Sequence, residues 1–288
     1  MPYRQRRPMD TATHNFLGNI DMTLAAIPLE ALEVVVDDGV ATITLARPAS
    51  RNAINPTMRE ELGAVTRLIQ QDPSIKAVVL TGAGETFSAG GDLNGMSDID
   101  AATMRQRLSS AHAYLTELVN LDRPVIAAVD GVAFGAGFSL ALTADIVVAS
   151  TRARFCMAFM RVGLVPDYGA FYTLPRVVGL QRAKELIYSA REVSAEEALS
   201  LGIALEIHPP QAVLPRALAL AHSMKHASAT AFGLAKRALN QSYESSLQTM
   251  LNLEAAAQSV AIVTPEYTAA RARFAAKQKP VYEWPKRE

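Results

Sequence analysis

The chain has 288 residues, half of them hydrophobic and 19% charged, with Lys+Arg and Asp+Glu both at 28 and a net charge of zero. That composition supplies a sizeable core and excludes wholesale disorder; with no basic excess, neither nucleic acid nor a membrane surface is indicated as a partner. A single cysteine, Cys156, allows no internal disulfide, which fits a reducing, cytoplasmic setting.

Residues 1–31 show no sustained periodicity and read as an N-terminal arm. Arg4, Arg6 and Arg7 are not followed by an apolar run, so no secretory signal is expected. From Leu32 the pattern predicts a hairpin, with Val34 to Val36, a turn at Asp38-Gly39, and Val40 to Leu45. Asn55-Pro56 is a helix cap followed by proline in the first turn, and Met58, Leu62, Val65, Leu68 and Ile69 recur at helical spacing. Ala77 to Leu80 reads as a buried strand running into the glycine-rich TGAGETFSAGGDLNGM. A long helix follows, with Met104, Leu108, Ala111, Leu115 and Leu118 on one face.

After Pro124 the sequence VIAAVDGVAFGAGFSLALTADIVVAS reads as strand (Val125 to Val129), glycine turn, buried helix (Ala136 to Ala144) and strand (Ile146 to Ala149). Its apolar middle lies between Asp130 and Asp145, too short to span a bilayer. Strand, glycine turn and helix therefore occur twice. The second instance puts free backbone N–H groups at a helix start inside the protein, where they suit a group carrying negative charge. Ser194 with Glu197 forms a capping box for a helix that stops at Gly202, and from about Gln211 the pattern is helical. The whole reads as an α/β core with a helical tail, divided as 1–31, 32–210 and 211–288.

Five segments in order, ITLARPASRNAI, VVLTGAGETFSAGGDL, RPVIAAVDGVAFGAGFSLALTADIVVAS, VGLVPDYGAFYTLPRVVG and ARFAAKQKP, resemble the crotonase (enoyl-CoA hydratase/isomerase) superfamily over roughly residues 32 to 282. The resemblance implies a spiral of ββα turns, a helical tail that assembles trimers or hexamers, and an acyl-CoA substrate. It also implies an oxyanion hole made by the N–H groups of Gly91 and Ala136. Neither a metal nor a separate cofactor is implied.

In hydratases of this superfamily two glutamates activate a water; matched by position, they fall on Ser139 and Phe159. Neither residue replaces a carboxylate as a base near neutral pH. The loop GLVPD-x-G is similar to that of the phenylacetate-pathway isomerase type, which gives Asp167 the role of moving a proton between C2 and C4. Phe138, Phe159 and Phe171 are expected to wall that carboxylate and raise its pKa. Asp167 read on its own is also an ordinary Pro-Asp-x-Gly turn residue.

Ala89, Asp92, Leu93, Phe138, Ser139 and Phe159 are the expected substrate contacts around these groups. Arg47, Phe274 and Lys277, with Lys279, match basic and aromatic positions that contact CoA, the tail ones from a neighbouring subunit. Asp92 has a competing reading as a loop-shaping residue. His222 and His226, four apart, lack a third ligand, and His112 lies on the helix expected to border the acyl pocket. Gly131, Gly135 and Gly137 imitate a dinucleotide fingerprint without its acidic partner, so NAD is not expected. A hydratase, hydrolase or lyase with a different base, and a non-catalytic acyl-CoA-binding subunit, remain the alternatives to an isomerase.

Overall fold

The computed structural model describes residues 24, 27–94, 96 and 99–286. Most of the expected N-terminal arm, including Arg4, Arg6 and Arg7, lies outside the described residues. The first elements are the hairpin strands β1 (Leu32–Asp37) and β2 (Val40–Leu45), helix α1 (Pro56–Gln71), strands β3 (Ala77–Gly82) and β4 (Thr86–Ser88), and helix α2 (Ala101–Val119). Then come β5 (Val125–Val129), β6 (Val132–Phe134), the single-turn helix α3 (Ala136–Ala141), β7 (Ile146–Ser150) and β8 (Arg154–Cys156). The remainder is α4 (Ala170–Val178), α5 (Leu180–Ser189), β9 (Glu192–Ser194), α6 (Ala195–Ser200), β10 (Glu206–His208), α7 (Pro210–Met224), α8 (Ala229–Gln241), α9 (Leu247–Ala261) and α10 (Pro265–Ala275).

Local chemistry sets these boundaries. Asp38 and Gly39 both take positive φ, +44° and +78°, which turns the hairpin with the twist its strands require. The Asn55 side chain accepts the Met58 N–H at 2.9 Å with Pro56 at the first helical position, and Ser194 accepts the Glu197 N–H. Helix α3 ends earlier than the pattern predicts. The Leu140 carbonyl is taken by both the N–H and the hydroxyl of Thr143, and Ala144 closes a three-residue turn on Ala141, so the α-helical ladder stops.

Successive turns place one strand in each of two sheets. The larger runs β1-β2-β3-β5-β7-β10, parallel except for its opening hairpin, and the smaller runs β4-β6-β8-β9. Parallel strands covered on both faces read as continuous apolar runs, and β5 is buried at every residue. Its side chains nevertheless divide by alternation. Ile126 and Ala128, with Val79 and Val148, face Val213, Ala217 and Leu220 of α7, whereas Val125, Ala127 and Val129 face the main core. Helix α7 therefore covers the sheet, although the expected boundary at 211 would have assigned it to the tail.

Three buried polar anchors hold this frame. Glu61 on α1 accepts the N–H groups of Glu30, Ala31 and Leu32 and fixes the entry to β1. Arg123 donates to the carbonyls of Ile69, Asp72 and Ile75 where α1 ends. Lys236 on α8 pairs with Asp145 at 2.8 Å, and the same Asp145 oxygen accepts the Val125 N–H at the start of β5. Helices α9 and α10 bury no residue and leave Leu247, Leu251 and Phe274 exposed. Among the described residues no helix is long and apolar enough to cross a membrane.

Candidate active site

Two glycine turns, one after β4 and one after β6, are pressed against each other. A Cβ on Gly137 would lie 2.7 Å from the Ser88 side chain and carbonyl, and one on Gly90 would lie 2.7 Å from the Phe134 carbonyl. Gly90 also holds φ at +103°, which excludes other residues there. The first turn is clamped to Ile54: the Ile54 N–H donates to the Gly90 carbonyl at 2.7 Å, and the Asp92 N–H donates to the Ile54 carbonyl at 3.1 Å. Between these bonds the Gly91 N–H meets no backbone carbonyl among the described residues. A Cβ on Gly91 would meet nothing within 4 Å, so this glycine is not required by packing; it borders open space. In the second turn Gly135 donates to the Cys156 carbonyl, and Ala136 is the first residue of α3, so its N–H has no acceptor within the helix.

The open space is a cavity lined by both turns, by the 3₁₀ helix Ala158–Val162 that carries Phe159, by the loop holding Asp167 and Tyr168, and by α1 and α2. Of the sequence-predicted site residues it brings together Ala89, Gly91, Leu93, Ala136, Phe159 and Asp167. The Phe159 ring sits against Gly135, 3.9 Å from where a Cβ would be.

Other expected contacts do not reach it. Phe138 is fully buried with its ring 5.1 Å from that of Phe155; two positions on from Ala136, at about 100° per residue, it faces the core side of α3. Ser139 is sealed in as well, its hydroxyl donating to the Gly135 carbonyl at 3.2 Å. Phe171 is 61% exposed on α4, so it cannot wall Asp167. Arg47 and Asp92 pair at 3.1 Å, and Asp92 also accepts the Asn94 N–H, so both shape the loop outside the cavity lining. Phe274 is 85% exposed on α10, and neither it nor Lys277 lines the cavity of its own chain.

Asp167 is held by a turn of unusual backbone. Its carbonyl accepts the Ala170 N–H at 3.1 Å, Tyr168 takes φ +54° and Gly169 φ +79°. The left-handed conformation is costly for a tyrosine, on the order of 1–3 kcal/mol, and such strain concentrates at functional sites. The carboxylate is largely buried, and its Oδ1 has no hydrogen-bond partner. Burial pushes its pKa up to about 6, against the pull of the Arg59 and Arg107 guanidiniums. Among the described residues lining the cavity it is the one carboxylate.

Four groups at this end went unnoticed in the sequence: Arg59 on α1, Arg107 and Tyr114 on α2, and Tyr168 itself. The two tyrosine rings meet edge to face with centroids 6.4 Å apart, and neither hydroxyl makes a hydrogen bond of ordinary geometry. Burial pushes the Tyr168 hydroxyl up to about 12. Arg107 did leave a signal: it lies three residues after Met104 and four before Ala111, a charge within the apolar stripe of its helix.

Residues 36–285 match the enoyl-CoA hydratase/isomerase family. The chain belongs to that family. It is 36% identical over 251 residues to the 1,2-epoxyphenylacetyl-CoA isomerase of Escherichia coli K12, covering 86% of this chain and 96% of that protein. It is 33% identical to the short-chain-enoyl-CoA hydratase of Clostridium acetobutylicum, covering 83% and 92%. The crystal structure of an enoyl-CoA hydratase/isomerase from Cupriavidus metallidurans CH34 superposes with a TM-score of 0.87 at 44% identity, over 91% of this chain and all of that one. The architecture is thus the crotonase fold, and relatives at comparable distance are named for two different reactions.

Proposed function

We propose that the protein isomerises the double bond of an enoyl-CoA thioester, with Asp167 as the single proton carrier. The observation that carries this reading is the cavity's carboxylate inventory: Asp167 is present, while Ser139 and Phe159 stand at the two positions where the resemblance puts the hydratase glutamates. The thioester carbonyl accepts from the N–H groups of Gly91 and Ala136. The Asp167 carboxylate takes a proton from C2 of a 3-enoyl thioester, and the electron pair moves through the enolate onto the carbonyl oxygen. Each such donor is worth about 3–4 kcal/mol in the transition state. Asp167, now protonated, returns the proton at C4 and the double bond settles between C2 and C3. A value near 6 suits a group that must both take and give a proton.

Proton transfer of this kind requires neither a metal nor a redox cofactor. The exposed apolar residues of α9 and α10 support assembly through the tail into trimers or hexamers of a cytoplasmic enzyme, with Phe274 and Lys277 reaching a neighbour's CoA.

Side-by-side assays with 2-enoyl- and 3-enoyl-CoA test the reaction. A shifted double bond at unchanged mass is the expected result, and gain of one water from the 2-enoyl substrate would overturn it. Asp167→Asn is expected to lower turnover by roughly 10²–10⁴ while thioester binding persists. Unchanged turnover in that variant would remove Asp167 from the mechanism.

A further inference from the structure

Asp167 is aimed by its backbone rather than by a bond to a neighbouring side chain. Its carboxylate lies in the field of the Arg59 and Arg107 guanidiniums, yet among the described residues neither stands within ion-pair distance of it. Its place therefore depends on the turn that carries it, and above all on the next residue. Tyr168 is the one aromatic residue with positive φ among the described residues. Glycine or asparagine would take that conformation at lower cost, so the backbone gives no reason for a tyrosine here. The reason lies in the side chain. The Tyr168 ring is buried and meets Tyr114 edge to face, with 73° between the ring planes. Its hydroxyl comes within reach of the Tyr114 hydroxyl and the Arg59 guanidinium. Burial of a ring together with an aromatic pair outweighs the strain of one left-handed residue.

Tyr114 is itself fixed from two sides. It belongs to the buried stripe of α2 with Ala111, Leu115 and Leu118. A Cβ on Gly63 of α1 would stand 3.5 Å from the Tyr114 Cβ, so the two helices touch at this residue. Yet Tyr114 does not line the cavity, and it can act on the reaction only through Tyr168. An exact place matters because one carboxylate must serve two carbons. C2 is held beside the oxyanion turns by the thioester carbonyl, whereas C4 lies two bonds further along the acyl chain. Whether the acid can reach C4 depends on where its turn puts it.

We propose that Tyr114 is a positioning residue for Asp167: its ring holds Tyr168 in the left-handed turn that sets the carboxylate between C2 and C4 of the acyl chain. This rests on the reading of Asp167 as the proton carrier. Removal of the proton from C2 gives the enolate and a neutral Asp167 acid, which returns a proton either to C2 or to C4. In heavy water an acid that exchanges before returning its proton leaves deuterium at the carbon it reaches. The readout is deuterium entering C2 of recovered 3-enoyl-CoA, divided by the 2-enoyl-CoA formed. This ratio does not depend on how much of the sample is folded, so lost stability alone cannot move it. In Tyr114→Leu the ratio should rise severalfold. Its kcat should fall by roughly 10- to 100-fold, with KM and the affinity for a saturated acyl-CoA little changed. Tyr114→Phe keeps the ring pair and should recover most of kcat and the parent ratio.

Two further variants keep the test decisive, each checked for folding by circular dichroism. Tyr168→Asn suits the left-handed turn but removes the ring, so it should shift the ratio the same way even if Tyr114→Leu unfolds. Tyr172→Phe loses the hydroxyl bond from α4 to the Asn240 carbonyl on α8 and should leave the ratio as it is. A parent ratio in the variants without a ring pair would overturn the proposal whatever their kcat, and so would an equal shift in Tyr172→Phe. Full turnover in Asp167→Asn, or neither isomerisation nor exchange in the parent protein, would remove Asp167 as the proton carrier and the proposal with it. An inactive Asp167→Asn beside an unmoved ratio would sink the positioning role alone.

Discussion

The cavity has two walls made in different ways. On one side are the turns at Gly91 and Ala136, where the chemistry belongs to backbone N–H groups and the side chains only permit close approach. On the other are Arg59, Arg107, Asp167 and Tyr168, where it belongs to side chains brought from three parts of the chain, with Tyr114 packed behind Tyr168. The first wall is rigid because buried parallel strands and the Gly137–Ser88 contact fix it. The second is a set of charges and hydroxyls with few mutual bonds, so substitutions can alter it without unfolding the frame. Such a division allows one scaffold to stabilise the same thioester enolate while the opposite wall selects the acyl group and the proton path.

The sharpest way to break the comparison is to alter a backbone donor itself. Gly91→Pro removes one N–H and is expected to lower kcat/KM by roughly 10²–10³. Gly91→Ala keeps the donor, and its methyl group would meet no atom within 4 Å. It should therefore fold normally and show mainly a raised KM from the narrowed cavity. Equal losses in the two variants would mean that shape rather than the donor matters at this position. Circular dichroism and CoA binding of both proteins guard against misfolding as the cause.

What the sequence disclosed follows the same division. The Asp38-Gly39 hairpin, the Asn55 cap and the Ser194–Glu197 box are decided within a few residues, and each stands as expected. The backbone wall was legible because ordered glycine motifs carried the family resemblance. The side-chain wall depends on how α1, α2 and the loop before α4 meet, and no local pattern reports that. Arg59 beside Met58 reads as an ordinary solvent-facing charge until α2 lies across it. Phe138 and Phe171 failed as cavity residues for a related reason: a one-turn helix and an exposed helix face turned them away, and residue type alone cannot say which way a side chain points.

A smaller effect separates function from stability on the side-chain wall. Burial raises the folded-state pKa of Asp167 to about 6 from an ordinary 3.8. A raised carboxylate favours the protonated fold, so its contribution to stability is full below 3.8 and is lost as pH rises through about 6. At pH 7 the ionised group is a burden of at most about 3 kcal/mol. Asp167→Asn should accordingly unfold at higher denaturant concentration than the parent at pH 7, and the advantage should vanish in acid. A variant that is less stable at pH 7 would show that the carboxylate is anchored by contacts rather than held for use.

The smallest expected effect is a displacement of the pH profile, and it tests whether the two ends of that wall act on each other. If Asp167 must be ionised to take the first proton, kcat/KM falls on the acid side with a limb near 6. The Arg59 guanidinium pulls that value down by favouring the carboxylate. Removing the charge in Arg59→Gln relieves the pull, so the limb should move toward higher pH while its slope stays that of one proton. Arg107→Gln should move it the same way by less, since the Arg107 charge acts on Asp167 more weakly. A limb that stays fixed in both variants would assign the acid limb to some other group than Asp167.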